Sequence, residues 1–238
     1  MNKDSKIYIA GHLGLVGSAL LKRLQNQNYS NILTETHQDL DLQVQANVDL
    51  FLKKNKPEYV FLAAAKVGGI IANNDKRAEF LYNNLMIQSN VIHCSYKYKV
   101  KKLLFLGSSC VYPKNVINPI IESSLLSSEL EYTNEPYAIA KIAGLKLCEN
   151  YSNQYNLNYK TLMPCNAYGE NDNYDLSSSH FLPALIKKII DAIKSNKSHI
   201  VLWGNGKSLR ELIFSEDIAL ACHFFLKKKT KEKIFNIG

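Results

Sequence analysis

The sequence predicts an α/β fold built on a doubly wound parallel sheet, and two observations lead to this prediction. Short apolar segments of strand length alternate along the chain with longer segments of helical periodicity. The apolar segments are continuous, which is typical of strands that helices cover on both faces of a sheet. This alternation favours a parallel sheet, whose ligands bind at the carboxyl ends of the strands.

Five strands and four helices are predicted within residues 1–165, the first of two expected units. Pro57 ends the second helix, and Pro136 suits the first turn of the fourth. The predicted strands span residues 6–10, 31–36, 59–64, 102–106 and 159–163, and the predicted helices span residues 15–27, 44–55, 75–98 and 136–155.

The pattern is looser in residues 166–238, which we expect to form a small, incomplete C-terminal substrate lobe interleaved with the first unit. Residues 166–180 are polar and rich in Asn, Asp and Ser, and therefore predict a loop. The elements expected after this loop are a helix at 181–194, a short strand at 199–203, a helix at 215–228 and a final strand at 234–237.

The 238-residue chain has an ordinary globular composition, with 46% apolar and 21% charged residues. No apolar stretch approaches the roughly 18 residues that a membrane span needs, and the polar start of the chain is unlike a signal peptide. The five cysteines are odd in number and widely spaced, so neither a disulfide framework nor a zinc site is expected. These features predict a cytoplasmic protein without membrane association or a bound metal.

The formal net charge of +8 raises the question of nucleic-acid binding. The lysines are spread over predicted helix ends and polar faces, and no recognition-helix or RNP pattern accompanies them. We therefore expect no nucleic-acid partner. A positive field also suits a ligand that carries several phosphates.

A glycine-rich turn follows the first predicted strand and leads directly into a helix. Its spacing is G-x-x-G-x-x-G. Gly11 permits a sharp turn, Gly14 lets the backbone approach a pyrophosphate, and Gly17 lets the helix pack close to the sheet. The position of this turn predicts a Rossmann-like, NAD(P)-binding domain over residues 1–165. The predicted cradle consists of Gly11, His12, Leu13, Gly14, Leu15, Val16 and Gly17.

The residues at the end of the second predicted strand do not decide between NAD and NADP. Glu35 lies where an acidic residue would bind the NAD ribose, and it would equally suit a position facing solvent. The stretch 34–38 contains no arginine for a 2′-phosphate.

Three polar residues predict hydride-transfer chemistry. Ser108 follows the fourth strand, and Tyr137 and Lys141 stand four residues apart on the next long helix, so they share one face. An ammonium near a phenol stabilises the phenolate and lowers its pKa. The phenol could then exchange a proton with a sugar oxygen while a nicotinamide delivers hydride.

Seven stretches carry a family resemblance, and they are AGHLGLVGSAL, AAAKVGGIIANN, LGSSCVYPK, EPYAIAKIAGLKLCENY, NAYGENDNY, SHFLPALIKK and WGNGKSLREL. With them the chain resembles the extended short-chain dehydrogenases and, within these, the GDP-L-fucose synthase family. The resemblance implies 3,5-epimerisation of a GDP-4-keto-6-deoxy sugar at Cys110 and His180. It further implies reduction of the 4-keto group by Ser108, Tyr137 and Lys141 with NADPH.

The same resemblance implies further contacts. Those to the GDP-sugar fall on Lys188, Trp203 and Arg210, and the two long helices 75–98 and 136–155 imply a homodimer through a four-helix interface. The cofactor contacts that it implies beyond the glycine turn are His37, Asp41, Leu42, Leu106, Gly107, Ser109, Lys141, Pro164, Asn166, Ala167 and His180.

The chain also departs from the family pattern. Leu13 and His37 stand where members commonly have arginines that hold the NADP 2′-phosphate, so NADP(H) is favoured and NAD(H) stays possible. Lys188 replaces an arginine and loses its bidentate fork, and Leu212 replaces a phenylalanine. The sequence stops before a C-terminal segment that completes the substrate lobe in relatives. A GDP-6-deoxy-heptose reductase and a non-catalytic dinucleotide-binding protein are the alternatives.

Overall fold

The computed structural model describes residues 1–202 and 204–238. Within these ranges six strands form one sheet in the order β2-β1-β3-β4-β5-β8, and adjacent strands are parallel throughout. The predicted doubly wound α/β fold is confirmed. The strands are β1 (Ile7–Ala10), β2 (Ile32–Leu33), β3 (Tyr59–Leu62), β4 (Lys102–Leu106), β5 (Asn158–Pro164) and β8 (Ile234–Ile237).

Helices cover both faces of the sheet. The helices of the described residues are α1 (Leu15–Asn26), α2 (Gln45–Asn55), α3 (Ile70–Asp75), α4 (Arg77–Lys97), α5 (Glu135–Tyr155), α6 (Phe181–Lys194) and α7 (Ser215–Lys227). Helices α1 and α7 pack together on one face, and α2, α4 and α5 pack on the other. Alternate residues of β1 therefore enter different cores, with Ile7 and Ile9 facing α1 and α7, and Tyr8 and Ala10 facing the opposite layer.

The strand order changes direction between β1 and β3, which places a crevice at their carboxyl ends. The glycine turn follows β1, and Ala63 and Ala64 follow β3. A Cβ atom added to Gly11 would lie 2.7 Å from the backbone of Ala64, so the two loops meet at this switch point. The fold thereby puts the predicted phosphate cradle where open parallel sheets bind ligands.

Three local predictions were wrong. The helix expected at 75–98 begins at Arg77, because Lys76 adopts φ −120° and ψ 44° and separates it from α3. Residues 199–202 form no strand, and Val201 and Leu202 are exposed, while Trp203 lies outside the described residues. The polar segment 166–180 is not loop throughout.

The polar segment begins with a short strand. Asn166–Tyr168 forms β6 and pairs in parallel with β7 (Leu212–Phe214), far along the chain. A local sequence pattern carries no information about a strand partner so far along the chain. Across residues 1–202 and 204–238, no helix is long and apolar enough to cross a membrane.

Candidate active site

The glycine turn is shaped by close backbone contacts. Gly11 has φ +87°, a conformation that favours glycine. A Cβ atom at Gly17 would lie 2.0 Å from the main-chain oxygen of Gly11, so α1 must begin with a bare backbone at this point. At Gly14 the same test gives 3.6 Å, an ordinary contact, and the residue is exposed. Gly11 and Gly17 build the turn, whereas Gly14 leaves the N-terminus of α1 open to an anion.

The other predicted cofactor contacts in and near this turn differ in exposure. In the described part of the chain, His12 has a buried Nδ1 atom without a hydrogen-bond partner. Leu13 is 68% exposed beside the turn. His37 is exposed, and its Nδ1 lies 3.7 Å from a carboxylate oxygen of Asp41. An orphaned ring nitrogen and an uncapped helix start fit a phosphate-bearing cofactor in this crevice.

The remaining predicted cofactor contacts lie at strand ends or in the core. Leu42 is buried, and its main-chain oxygen accepts a hydrogen bond of 2.9 Å from Asn90. Leu106 and Pro164 are the last residues of β4 and β5, and Asn166 and Ala167 begin β6. Gly107 and Ser109 follow β4, so most of these residues lie at the carboxyl edge of the sheet.

Ser108, Cys110 and Tyr137 meet at the end of β4. Ser108 is extended, with φ −166°, and its Oγ accepts the N–H of Cys110 at 3.3 Å. Tyr137 lies in the first turn of α5, which begins Glu135-Pro136 because a proline needs no N–H partner there. The Ser108 hydroxyl lies close enough to the phenol of Tyr137 and to the thiol of Cys110 to act on both, and it favours their ionised forms.

Lys141 lies one turn further along α5 and is buried. Its Nζ donates a hydrogen bond of 2.7 Å to the main-chain oxygen of Leu106 and lies 5.7 Å from the ring centroid of Tyr137. Burial lowers the pKa of Lys141 to about 7. The expected lowering of the phenol pKa is not found. Burial, followed by the nearby Cys110, raises the pKa of Tyr137, and the nearby Ser108 hydroxyl opposes this only in part.

The pKa values of Cys110 and His180 are shifted in opposite directions. Burial raises the pKa of the Cys110 thiol. His180 immediately precedes α6 and is exposed, yet the protein around it disfavours the charged imidazole and lowers its pKa, while Asp172 acts in the opposite direction. At neutral pH both groups are therefore uncharged in the ligand-free chain.

His180 lies in another segment, whose backbone contacts the loop after β3. The N–H of Gly69, in this loop, donates a hydrogen bond of 2.8 Å to the main-chain oxygen of Ser178. Strands β3 and β4 are parallel neighbours, so this loop and the cluster after β4 lie at the same edge of the sheet. Ser108, Cys110, Tyr137 and Lys141 are thus brought together directly.

Comparison with known proteins identifies the family. Residues 7–238 match the model of the NAD dependent epimerase/dehydratase family. The chain belongs to this family. It is 51% identical to GDP-L-fucose synthase 1 of Arabidopsis thaliana over 237 residues, which cover 100% of this chain and 73% of that protein.

Two further relatives agree with this assignment. The GDP-L-fucose synthase of Escherichia coli K12 is 47% identical over 216 residues, or 91% of this chain and 67% of that protein. A GDP-mannoheptose C4 reductase from Campylobacter jejuni, solved with NADP bound, superposes with a TM-score of 0.90 at 38% identity. The superposition covers 100% of this chain and 81% of the reductase.

Two of the three predicted substrate contacts of this epimerase/dehydratase, Lys188 and Arg210, contact main-chain oxygens in the described structure. Lys188 on α6 donates a hydrogen bond of 2.9 Å to the main-chain oxygen of Val201. Arg210 is exposed and contacts the main-chain oxygen of Leu209 at 2.8 Å, and Trp203 lies outside the described residues. An open cavity of about 270 Å³ lies between the loop 168–174 and the start of α6.

Sequence reasoning missed two residues of this epimerase/dehydratase site. Asp172 acts electrostatically on His180, and one of its carboxylate oxygens is buried without a hydrogen-bond partner among the described residues. Gly69 holds the backbone that precedes His180. Both lie in stretches that carry the family resemblance, AAAKVGGIIANN and NAYGENDNY, so the signal was present without an assigned role.

Within residues 1–202 and 204–238, no cluster of three or more His, Cys, Asp and Glu side chains could hold a metal ion. The five cysteines are free thiols, and Cys110 is among the two that are not fully buried.

Proposed function

We propose that the chain is an NADPH-dependent GDP-L-fucose synthase, which epimerises GDP-4-keto-6-deoxymannose at C3 and C5 and then reduces the 4-keto group. The observation that carries the proposal is the convergence of Ser108, Tyr137 and Cys110 at the end of β4, with Lys141 behind the phenol. Relatives with this activity in their names are about half identical to the chain over most of its length.

The cofactor would lie across the crevice between β1 and β3. Its pyrophosphate would approach Gly14 at the open start of α1. When bound, NADPH supplies the hydride for the keto carbon. NADP(H) is supported by the NADP-bound reductase, although Leu13 and His37 offer little to a 2′-phosphate.

Epimerisation would use the proton held by Cys110 and His180. The protons on C3 and C5 are acidic because they flank the keto group. One member of the pair removes such a proton, and the other returns one on the opposite face of the sugar. With a neutral thiol and a neutral imidazole, the ligand-free pair holds one proton that it can transfer.

Reduction would use Tyr137 as the proton donor. Its raised pKa keeps the phenol protonated at neutral pH, and Ser108 can hydrogen-bond the same keto oxygen. As hydride reaches C4, the phenol proton passes to O4, which gives the alcohol. The ammonium of Lys141, 5.7 Å from the ring centroid, stabilises the phenolate that remains.

The experiment is incubation of the purified chain with GDP-4-keto-6-deoxymannose and NADPH, with cofactor absorbance and products followed together. We expect NADPH loss and GDP-L-fucose. Tyr137→Phe should abolish NADPH loss, and Cys110→Ser should impair epimerisation while leaving NADPH binding intact. Wild-type protein that consumes no NADPH with any GDP-4-keto sugar would overturn the proposal.

A GDP-heptose substrate is the second candidate, because the Campylobacter jejuni reductase shares the fold closely at 38% identity. The same assay with the GDP-4-keto-6-deoxy-heptose decides between the two by the ratio of kcat/KM values. A higher kcat/KM for the heptose would identify the GDP-heptose as the substrate in place of GDP-4-keto-6-deoxymannose.

The chain would act in the cytoplasm as a homodimer, with residues 1–165 binding the cofactor and residues 166–238 contributing to the sugar-nucleotide site. Support for the dimer comes from apolar side chains on the outer faces of α4 and α5. Tyr82 is 61% exposed and Ile139 is 44% exposed, and a second copy would cover both. Light scattering measures this directly.

A further inference from the structure

The loop after β3 packs directly against the segment that carries His180. Besides the 2.8 Å hydrogen bond from Gly69 to Ser178, a Cβ atom at Gly69 would lie 2.2 Å from the main-chain oxygen of Ser179. Gly69 has φ −68° and ψ −177°, which any residue adopts. Close approach to this backbone, rather than backbone strain, therefore explains the glycine.

Asn73 fixes the same loop from within α3. Its buried amide donates hydrogen bonds of 2.6 Å to the main-chain oxygen of Gly68 and 3.0 Å to that of Gly69. The neighbouring glycine is less constrained. A Cβ atom at Gly68 would meet side-chain atoms of Ala72 and Phe80 at 3.0 Å, which needs a shift of a few tenths of an ångström, whereas the 2.2 Å contact at Gly69 forces the backbone apart.

The segment on the other side of the contact is also held from its own end. Ser179 is buried, and its N–H donates a hydrogen bond of 2.7 Å to the main-chain oxygen of Asp175. Asp172, in the same segment, is the charged group that acts on the imidazole. The backbone that leads into His180 is thus held by hydrogen bonds on two sides, one to Asp175 within its own turn and one from the loop after β3.

We propose that Gly69 and Asn73 are positioning residues that fix the imidazole of His180 for proton transfer to the sugar. The inference rests on the proposed function, since it takes His180 as a member of the epimerising pair. A misplacement of about 1 Å can cost a reaction on the order of 100-fold. Hydride transfer at Tyr137 does not use His180, so the loss should fall on epimerisation.

The test compares Gly69→Ala with Gly68→Ala, a methyl group added one residue earlier. Solvent deuterium incorporation at C3 and C5 of GDP-4-keto-6-deoxymannose, measured without NADPH, reports epimerisation alone. We expect Gly69→Ala to slow incorporation by about 100-fold, with NADPH binding and the unfolding temperature close to those of Gly68→Ala. Gly68→Ala should stay near the wild-type rate.

An NMR titration of the imidazole signals gives a readout that needs no turnover, with His180→Gln to assign the signal. In Gly69→Ala the displaced ring leaves the protein surroundings that disfavour its charged form, so the pKa of His180 should rise towards the ordinary histidine value. It should stay low in Gly68→Ala. Should Gly69→Ala fail to fold, Asn73→Ala takes its place, because it removes two hydrogen bonds and adds no volume.

A folded variant with wild-type deuterium incorporation and an unchanged His180 titration would overturn the positioning role. Failure of the proposed function looks different. In that case wild-type protein incorporates no deuterium into any GDP-4-keto sugar, and the titration alone decides whether the loop places the imidazole.

Discussion

Lys141 donates a hydrogen bond of 2.7 Å to the main-chain oxygen of Leu106, the last residue of β4. This bond ties α5 to the central sheet at the point where Ser108 leaves it. Lys141 is 3% exposed, and its burial lowers the pKa of its ammonium from 10.5 to about 7. Burial of the charged lysine therefore has a cost in folding stability.

Lys141→Met should change the pH dependence of stability. Between pH 7 and 10.5 the unfolded chain binds more protons at Lys141 than the folded chain, so this residue makes the free energy of unfolding rise with pH. The variant lacks this contribution. As pH falls from 10.5 to 7, the free energy of unfolding of the wild-type chain should therefore decrease relative to that of Lys141→Met. Urea unfolding at several pH values measures it, and a difference independent of pH would contradict the prediction.

The reduction rate should fall as pH rises through about 7, where Lys141 loses its charge. Tyr137 stays protonated over this range because burial raises its pKa, so the decline reports the loss of phenolate stabilisation by the ammonium. The measurement is kcat/KM for NADPH oxidation against pH. Lys141→Met should be slower by about 100-fold or more and should lack this decline. A decline that persists in the variant would assign it to another group.

Gly14 and Gly17 should separate cofactor binding from folding. The methyl group of Gly14→Ala would lie 3.6 Å from the main-chain oxygen of Gly11, which is an ordinary contact. It would, however, project from the surface that a pyrophosphate approaches. We expect unchanged thermal unfolding and at least about tenfold weaker NADPH binding, or about 1.4 kcal/mol. Gly17→Ala places its methyl group 2.0 Å from that oxygen and should destabilise the fold by about 1–3 kcal/mol or more.

Thermal unfolding without cofactor and a fluorescence titration with NADPH distinguish these two effects. Equal NADPH affinity for Gly14→Ala and wild-type protein would show that the pyrophosphate does not approach this residue.

The sequence predicts the central sheet well, because its buried strands are local apolar runs. Lys102–Leu106 and Phe181–Lys194 have the predicted bounds. The small sheet of β6 and β7 was not predicted, since Asn166–Tyr168 gains its strand geometry from a partner distant in the chain. The weak pattern at residues 199–202 suggested a strand that lacks such a partner in the described chain.

The site shows the same division between local and tertiary information. The spacing of Tyr137 and Lys141 placed them on one helix face, and the turn after β4 placed Ser108 near them. The pKa of Tyr137 was expected to fall, whereas the structure raises it, because burial depends on packing that spacing does not describe. Asp172 acts on His180 within the segment 166–180, and Gly69 contacts the backbone of that segment from the loop after β3, so their roles follow from contacts alone.

The dimer proposed for α4 and α5 predicts that a charge at Ile139 separates the subunits. Ile139 is 44% exposed on α5, and burying an unpaired carboxylate between two copies would cost several kcal/mol. Ile139→Glu should therefore halve the mass measured by light scattering while NADPH binding persists. Leu220→Glu is the matched control, because Leu220 is 47% exposed on α7, which packs on the opposite face of the sheet. A dimeric Ile139→Glu variant, or a monomeric wild-type chain, would rule out this interface.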